Sequence, residues 1–280
     1  MRIDNVLSDA VRRLAAAGIN EPRREASSLL AFALSMPRAF LIAHPEYDLT
    51  DSEQQFFGQL VTRREAREPF QYITGRQEFW GIEFAVAPGV LIPRPETEIL
   101  VEAAVEYLQQ FKAPTFVEAG VGTGCLSVSI LHSVPDTTAI ATDLSSVAIE
   151  IARQNANRHG VGERLELRQT DLLTGIGGKF HLVVSNPPYI PDGDIQCLQP
   201  EVRDFEPSEA LAGGPDGLDI VRRLVRDSGH ILDTGGVLMM EIGAGQAAAA
   251  SDLFDPAVWR QPEFREDLQA IPRVVIAAHK

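Results

Sequence analysis

An α/β fold preceded by a small helical domain is predicted for this 280-residue chain by three features of its sequence. From Thr115 onward, short apolar segments alternate with amphipathic ones. Before about residue 75 only helical periodicity is seen, and an apolar stretch punctuated by Gly and Pro lies between the two regions. Strands alternating with helices imply a mostly parallel sheet covered by helices on both faces.

In the first region, Val6, Leu7, Ala10, Val11 and Leu14 fall at helical spacing and Gly18 follows as a stop. Asn20 and Pro22 read as a cap and a first helical position ahead of Ala26, Leu29, Leu30 and Ala33. Thr50 and Glu53 have capping-box spacing before a longer helix, which Pro69 ends. The domain is therefore assigned to residues 1–75. The segment FWGIEFAVAPGVLIP, 79–93, reads as a strand pair, and residues 76–98 are taken as a hairpin linker. Pro95 then opens a helix with Glu96 and Glu98 in its first turn, where the positive end of the helix favours them.

Residues 99–280 form the α/β domain. TFVEAG, TAIATD, RLELRQT, FHLVVS, VLMMEIG and PRVVIAAH read as strands. TGCLSVSILHSV, SSVAIEIARQNANRH (ended by Gly160), LDIVRRLVRDSGHIL and QAAAASDLF read as the helices between them.

The totals exclude several classes. The formal charge is −14, whereas nucleic-acid binders usually carry a basic face that neutralises phosphate. No direct nucleic-acid partner is expected, although a local basic patch could hide in the sum. Cys125 and Cys197 are far apart and outside any paired motif, and the six histidines are scattered, so neither a disulfide framework nor a metal site is expected. No apolar run approaches the roughly 20 residues of a membrane-spanning helix. MRIDNVLSDAVRRL has no apolar signal core, so a cytoplasmic location is expected.

Four constellations carry chemistry. Glu118-Ala-Gly120-Val121-Gly122-Thr123-Gly124 joins the first sheet strand to its helix. Glycines there let the backbone bend sharply and approach a ligand. Ser127 stands where a dinucleotide fingerprint needs Gly, and no Lys-Ser/Thr follows, so neither that fingerprint nor a Walker loop is present. A tight strand-to-helix turn is the plainer alternative. Asp143 ends the second strand about 20 residues on, where an acid accepts ribose hydroxyls. It could instead cap the next helix, but paired with the glycine loop the ribose role is the better reading. Asp171-Leu172 follows the third strand and reads equally as an adenine contact or as a solvated loop.

The fourth constellation is Asn186-Pro187-Pro188-Tyr189, directly after FHLVVS, and strand C-termini are where open α/β sheets hold ligands. Two prolines stiffen the backbone and remove two amide donors, so carbonyl oxygens face the site. The Asn186 side chain adds an acceptor and Tyr189 a flat surface. Such a corner is suited to accept hydrogen bonds from a planar NH2 group, the alternative being a rigid turn alone.

On these motifs the chain resembles the class I methyltransferases with an NPPY motif, and among them the HemK/PrmC family of release-factor glutamine methyltransferases. The resemblance rests also on EPFQYITGRQEFWGIEFAVAPGVLIPRPETE, 68–98, and EVRDFEPSEALAGGPDGLDI, 201–220. It implies a Rossmann-like, mostly parallel seven-stranded sheet with an antiparallel last strand. It implies S-adenosyl-L-methionine as methyl donor and S-adenosyl-L-homocysteine as product, with peptide chain release factors as protein substrates. By the resemblance, Glu118, Gly120, Val121, Gly122, Thr123, Gly124, Asp143, Asp171, Leu172 and Asn186 bind the cofactor. Asn186, Pro187, Pro188 and Tyr189 bind the glutamine, and Asn186, Pro187 and Tyr189 act in catalysis. The chain departs from the family where Glu118-Ala119 replace Asp-Leu, Val121 replaces Thr and Leu172 replaces an aromatic. The helical domain is expected to recognise the protein substrate, or otherwise to cap the sheet. Because NPPY suits any exocyclic amine, an N6-adenine or N2-guanine nucleic-acid methyltransferase is the enzyme alternative. A module that binds cofactor but has lost activity is the non-enzyme one.

Overall fold

The computed structural model describes all 280 residues. The chain forms two compact units, residues 1–76 with 199–205, and residues 77–198 with 206–280.

The first unit is helical: α1 (Ile3–Ala16), α2 (Pro22–Ala33), α3 (Arg38–Ala43), α4 (Asp51–Glu65) and α5 (Phe70–Thr74). Ile3, Val6, Ala10 and Leu14 of α1 meet Ala26, Leu29 and Leu30 of α2 and Phe57, Leu60 and Val61 of α4 in one core, as the helical spacing of the apolar residues requires. The capping box at α4 is formed in both directions: Glu53 N–H donates to Thr50 Oγ1 at 3.3 Å and Thr50 N–H to Glu53 Oε2 at 2.7 Å. The residue flanking α2 is Glu21 rather than Asn20, and its side chain makes no capping bond. Pro22, with no N–H to satisfy, starts the helix without one.

The second unit begins with the hairpin β1 (Arg76–Phe79) and β2 (Ile82–Ala85). Its two-residue turn, Trp80-Gly81, has φ of 54° and 70°. A type I′ turn demands positive φ at both positions. There follow α6 (Glu98–Leu108), β3 (Thr115–Ala119), α7 (Cys125–Ser133), β4 (Thr138–Asp143), α8 (Ser146–Arg158), β5 (Leu165–Gln169) and β6 (Phe180–Ser185). A long connection carrying α9 (Pro200–Phe205) leads to α10 (Asp219–Ser228), β7 (Leu232–Glu241), α11 (Ala247–Ser251), β8 (Glu263–Glu266) and β9 (Pro272–Ala278).

Seven strands make one sheet in the order β5-β4-β3-β6-β7-β9-β8. β3 to β7 run parallel, and β9 inserts antiparallel between β7 and β8. Neighbouring residues alternate between the two faces. Phe116, Leu182, Val184 and Met239 join α6, α7 and α8 in one core. Val117, Val183, Leu238 and Met240 join α10 and α11 in the other. Both faces are thus buried, which explains the apolar runs of β3, β6 and β7.

Two sequence expectations are corrected. The helix expected over 218–232 ends at Ser228, because Leu232 already pairs with Phe180 in the sheet. The seventh strand, β8, was not located from the sequence, because Glu-Phe-Arg-Glu at an exposed edge has no apolar run. No helix is long and apolar enough to cross a membrane.

Residues 199–205 join the first unit through ions. The buried Arg64 donates from Nε to Glu25 Oε2 at 2.5 Å and from Nη2 to Glu201 Oε1 at 2.9 Å. Arg67 Nη2 donates to the second oxygen, Glu201 Oε2, at 2.6 Å. One guanidinium therefore serves two carboxylates away from water. Removing it leaves Glu25 without its cation and Glu201 with Arg67 alone, at a cost of about 3–5 kcal/mol. We expect Arg64→Ala to lower the unfolding free energy of the full chain by about that amount, taken from a urea titration followed by circular dichroism. An unchanged midpoint would show that Glu25 and Glu201 find solvent instead.

Candidate active site

A cavity of about 550 Å³ opens at the carboxyl ends of the parallel strands. Its walls come from the glycine loop after β3, Asp143-Leu144-Ser145 after β4, Asp171-Leu172 after β5 and Asn186 with Pro188 after β6. Residues 89–91, Pro93, Arg94, Thr97, Pro207, Glu209 and Ala210 complete it, with Ile220 and Arg223 of α10.

The glycine loop is held by its backbone. Gly120 N–H and Val121 N–H both donate to Thr142 O, at 2.9 and 2.8 Å, which ties the loop to the end of β4. Gly120 and Gly122 have φ of 79° and 52°, and a Cβ built on either would meet nothing within 4 Å. Their absent side chains keep this wall of the cavity bare, and their positive φ would strain any other residue. Thr123 is buried and lines the cavity, and its Oγ1 has at most the weak thiol of Cys125 for a partner in the protein. Such a group points to a polar ligand atom. The buried Asn155 fastens the loop to the hairpin: Nδ2 donates to Thr123 O at 2.9 Å and to Ala85 O at 3.0 Å, and Oδ1 accepts Ala85 N–H at 2.8 Å.

Glu118 ends β3 with its side chain buried at the cavity wall. Oε2 accepts Ser127 N–H at 3.0 Å and also the Ser127 hydroxyl. Burial, reinforced by the charge of Asp143 and opposed by the Ser127 bonds, raises its pKa from the ordinary 4.5 to about 8. The same burial pushes the neighbouring Cys125 thiol up to about 12, so Cys125 is a neutral lining group and not a nucleophile.

Asp143 does not cap α8; Ser145 does, its Oγ accepting Ala148 N–H at 3.3 Å. Asp143 Oδ2 accepts Gly122 N–H and Oδ1 accepts Ser145 N–H, both at 2.9 Å. The carboxylate thus joins the glycine loop to the start of α8, and each oxygen keeps a lone pair for a ligand hydroxyl. Asp171 is a partly exposed loop acid that is also paired: Arg223 Nη2 donates to its Oδ2 at 2.6 Å, and both residues line the cavity. Leu172 lines the same wall with φ 47°, an uncommon conformation for a branched residue.

Asn186 and Pro188 reach the cavity. Pro187 is buried, and neither Pro187 nor Tyr189 contributes to the lining. No protein donor engages the Pro187 carbonyl oxygen or Asn186 Oδ1. Asn186 Nδ2 donates to Thr97 Oγ1 at 3.2 Å, and Thr97 Oγ1 donates to Glu241 Oε2 at 2.6 Å. Tyr189, expected from the sequence to offer a stacking face, is held by its hydroxyl, which donates to Glu241 Oε1 at 3.2 Å. Its backbone is braced too. Gln246 Nε2 donates to Tyr189 O at 2.9 Å, while Gln246 Oε1 accepts Gly243 N–H at 2.8 Å. A Cβ at Gly217 would fall 2.2 Å from Tyr189 O, so only glycine allows that approach.

Every residue singled out from the sequence for ligand contact thus sits on the cavity wall, apart from Gly124, Pro187 and Tyr189, which support it. Gly124 packs where a Cβ would meet Ala152 at 3.2 Å. Sequence reasoning did not single out Thr97, Glu241, Asn155, Arg223 or Gln246. Only Glu241 left a local signal: an acid ending the apolar run Val-Leu-Met-Met.

Residues 5–75 match the PrmC N-terminal domain and residues 95–198 the methyltransferase small domain. The release factor glutamine methyltransferase of Moorella thermoacetica is 42% identical over 254 residues, covering 90% of this chain and 89% of its own length. That of Koribacter versatilis is 39% identical over 278 residues, covering 99% and 98%. Among solved structures, a methyltransferase from Pyrococcus furiosus superposes with a TM-score of 0.53 at 16% identity, covering 71% of this chain and 89% of that one. This last likeness bears on the fold.

The Glu118 environment has a measurable consequence. An acid whose folded pKa lies above its unfolded value contributes stability that is fully present below the unfolded pKa and is lost as pH rises through the folded one. For Glu118 that window runs from 4.5 to about 8. Glu118→Gln cannot ionise and still accepts from Ser127. We expect its melting temperature to gain on that of the wild type as pH rises through this window and to level off above it. Parallel melting curves for the two proteins across the window would disprove the assignment.

Proposed function

The chain belongs to the release factor glutamine methyltransferase family, and on that premise we propose that it methylates the glutamine side-chain nitrogen, N5, of a Gly-Gly-Gln motif in peptide chain release factors, with S-adenosyl-L-methionine as donor. The observation that carries this reading is Asn186, which lines the cavity at the end of β6 with its Oδ1 engaged by no protein donor.

The cavity suits the donor in three respects. Its volume of about 550 Å³ is that of a small-molecule site. Asp143 keeps free lone pairs for ribose hydroxyls, and Thr123 Oγ1 is buried with at most the weak Cys125 thiol for a partner. Of the acids on the wall, Asp171 is paired with Arg223, whereas Glu118, Asp143 and Glu209 have no cationic partner. The ligand is therefore expected to be a cation, which S-adenosyl-L-methionine is at both its sulfonium and its ammonium. Glu118 would hold the ammonium, Asp143 the ribose, and Asp171 with Leu172 the adenine. When bound, the donor supplies an electrophilic methyl group, and S-adenosyl-L-homocysteine is left.

A carboxamide nitrogen is a poor nucleophile because its lone pair is delocalised. Twisting it fully out of conjugation would cost about 18–20 kcal/mol. Asn186 Oδ1 and the Pro187 carbonyl avoid that cost by accepting the two N–H groups of the substrate amide. Positive charge growing on the nitrogen then meets acceptor dipoles that are already in place. The prolines keep the corner rigid and free of competing N–H donors. The methylated amide sheds a proton readily, so no general base is needed, and no histidine lines the cavity. The helical unit is proposed to recognise the release factor.

The direct test is mass spectrometry of a release factor incubated with the protein and S-adenosyl-L-methionine, with tritium transfer to DNA and ribosomal RNA counted alongside. A gain of one methyl group on the Gly-Gly-Gln glutamine is expected, with no counts in nucleic acid. Counts in nucleic acid alone would overturn the reading. Asn186→Ala should bind S-adenosyl-L-homocysteine like the wild type by calorimetry, yet lose about 10²-fold or more in turnover, the cost of removing one preorganised electrostatic contact. Wild-type turnover in that variant would remove Asn186 from the mechanism.

A further inference from the structure

An asparagine amide can present either its oxygen or its NH2 to a ligand, and only the oxygen serves the reaction proposed above. Which end faces the cavity is decided by what the other end bonds to. Here the partner is Thr97 Oγ1, 3.2 Å from Asn186 Nδ2. A threonine hydroxyl has one proton to give, and at first sight could either donate to the amide oxygen or accept from the amide nitrogen. Its second neighbour removes the choice. Glu241 Oε2 lies 2.6 Å from Thr97 Oγ1. Glu241 Oε1 is already taken by the Tyr189 hydroxyl at 3.2 Å. Burial raises the Glu241 pKa, opposed by the bonds from Thr97 and Tyr189, and with both oxygens accepting a hydroxyl the short bond to Glu241 is the stronger of the two open to Thr97. The hydroxyl proton therefore goes to Glu241, and toward Asn186 the oxygen of Thr97 has only a lone pair to offer.

From this geometry we propose that Thr97 is a positioning residue that sets the orientation of the Asn186 amide, with its own proton direction set by Glu241. Thr97 holds the NH2 end and turns Oδ1 toward the substrate nitrogen. The proposal rests on the methyl-transfer reading of the site and deepens it. Thr97 and Glu241 are both buried, so water does not compete for these bonds. Glu241 holds Tyr189 with its other oxygen, so one carboxylate fixes both ends of the Asn186–Tyr189 corner. Thr97 precedes α6 and Glu241 ends β7, and each is anchored by regular structure on one side.

The test compares Thr97→Val, Thr97→Ser, Asn186→Ala and the double variant Thr97→Val/Asn186→Ala in the full chain. Each is assayed with tritiated S-adenosyl-L-methionine and a purified release factor. Affinity for S-adenosyl-L-homocysteine is measured in parallel. Thr97→Val is expected to lower kcat about tenfold, the worth of one net hydrogen bond, with cofactor affinity and the KM for the release factor within about twofold of the wild type. Thr97→Ser, which restores the hydroxyl, should recover most of that loss. In the double variant Thr97→Val should add nothing to Asn186→Ala, since a residue acting through Asn186 has no effect once the amide is gone. A merely structural role would instead give additive losses and weaken cofactor binding. Thr97→Val leaves one Glu241 oxygen without a donor. Thr97→Ala, which leaves room for water beside the carboxylate, therefore serves as the second variant, with the same expected loss and the same non-additivity. Wild-type kcat in both Thr97→Val and Thr97→Ala, or full additivity with Asn186→Ala, overturns the proposal while leaving the methyl-transfer reading intact. Failure of the wild-type protein to methylate the release factor overturns the reading itself and the proposal with it.

Discussion

A carboxylate taken out of water must be given hydrogen-bond donors, and this chain places several carboxylates along one rim of a parallel sheet. Glu118 ends β3, Asp143 ends β4 and Glu241 ends β7. Each is answered by donors from a different segment: Ser127 from α7, Gly122 and Ser145 from two loops, Thr97 and Tyr189 from the two sides of the cavity. The loops of a strand rim would otherwise be its most mobile part. Here each is tied to a strand end by a carboxyl group that accepts its donors. The cavity owes its shape to those bonds as much as to apolar packing beneath it.

The sheet supplies the other half of the arrangement. Because β3 to β7 all run parallel, their carboxyl ends open on one edge, and residues far apart in the chain converge there. Burial of both faces under α6, α7, α8, α10 and α11 makes the strands rigid supports. The glycine loop, the Asp143 corner and the Asn186–Tyr189 corner then differ in chemistry while sharing a scaffold. The first keeps its wall bare, the second offers paired lone pairs, and the third presents oxygens without competing N–H groups. Together they suit a cationic donor beside a planar nitrogen, which matches what the sequences related to this chain are named for.

The departures from the family pattern read differently once the contacts are known. The extra methylene of Glu118 does not leave its carboxylate adrift, because Ser127 meets it with both a backbone and a side-chain donor. In the sequence, Ser127 registered only as the residue that spoils a dinucleotide fingerprint. Leu172 stands in left-handed backbone, so this part of the cavity wall combines an aliphatic side chain with a guanidinium already committed to Asp171.

The sequence by itself determined what depends on neighbours along the chain. Helix periodicity in residues 1–75, the capping box of Thr50 and Glu53, the apolar strands, the three glycines and the proline-braced corner are local patterns, and local sterics and burial make them legible. It also located the rim on which the cavity opens, because strand ends are where these motifs fall. It did not disclose β8, whose charged edge has no apolar run, nor that the Tyr189 hydroxyl is tied to Glu241. It left open which end of the Asn186 amide faces the ligand. That orientation depends on Thr97, 89 residues away, which is bonded in turn to Glu241, a further 144 residues along. Only the tertiary fold brings those three together, and a hydroxyl's single proton has a direction only when both of its neighbours are in place.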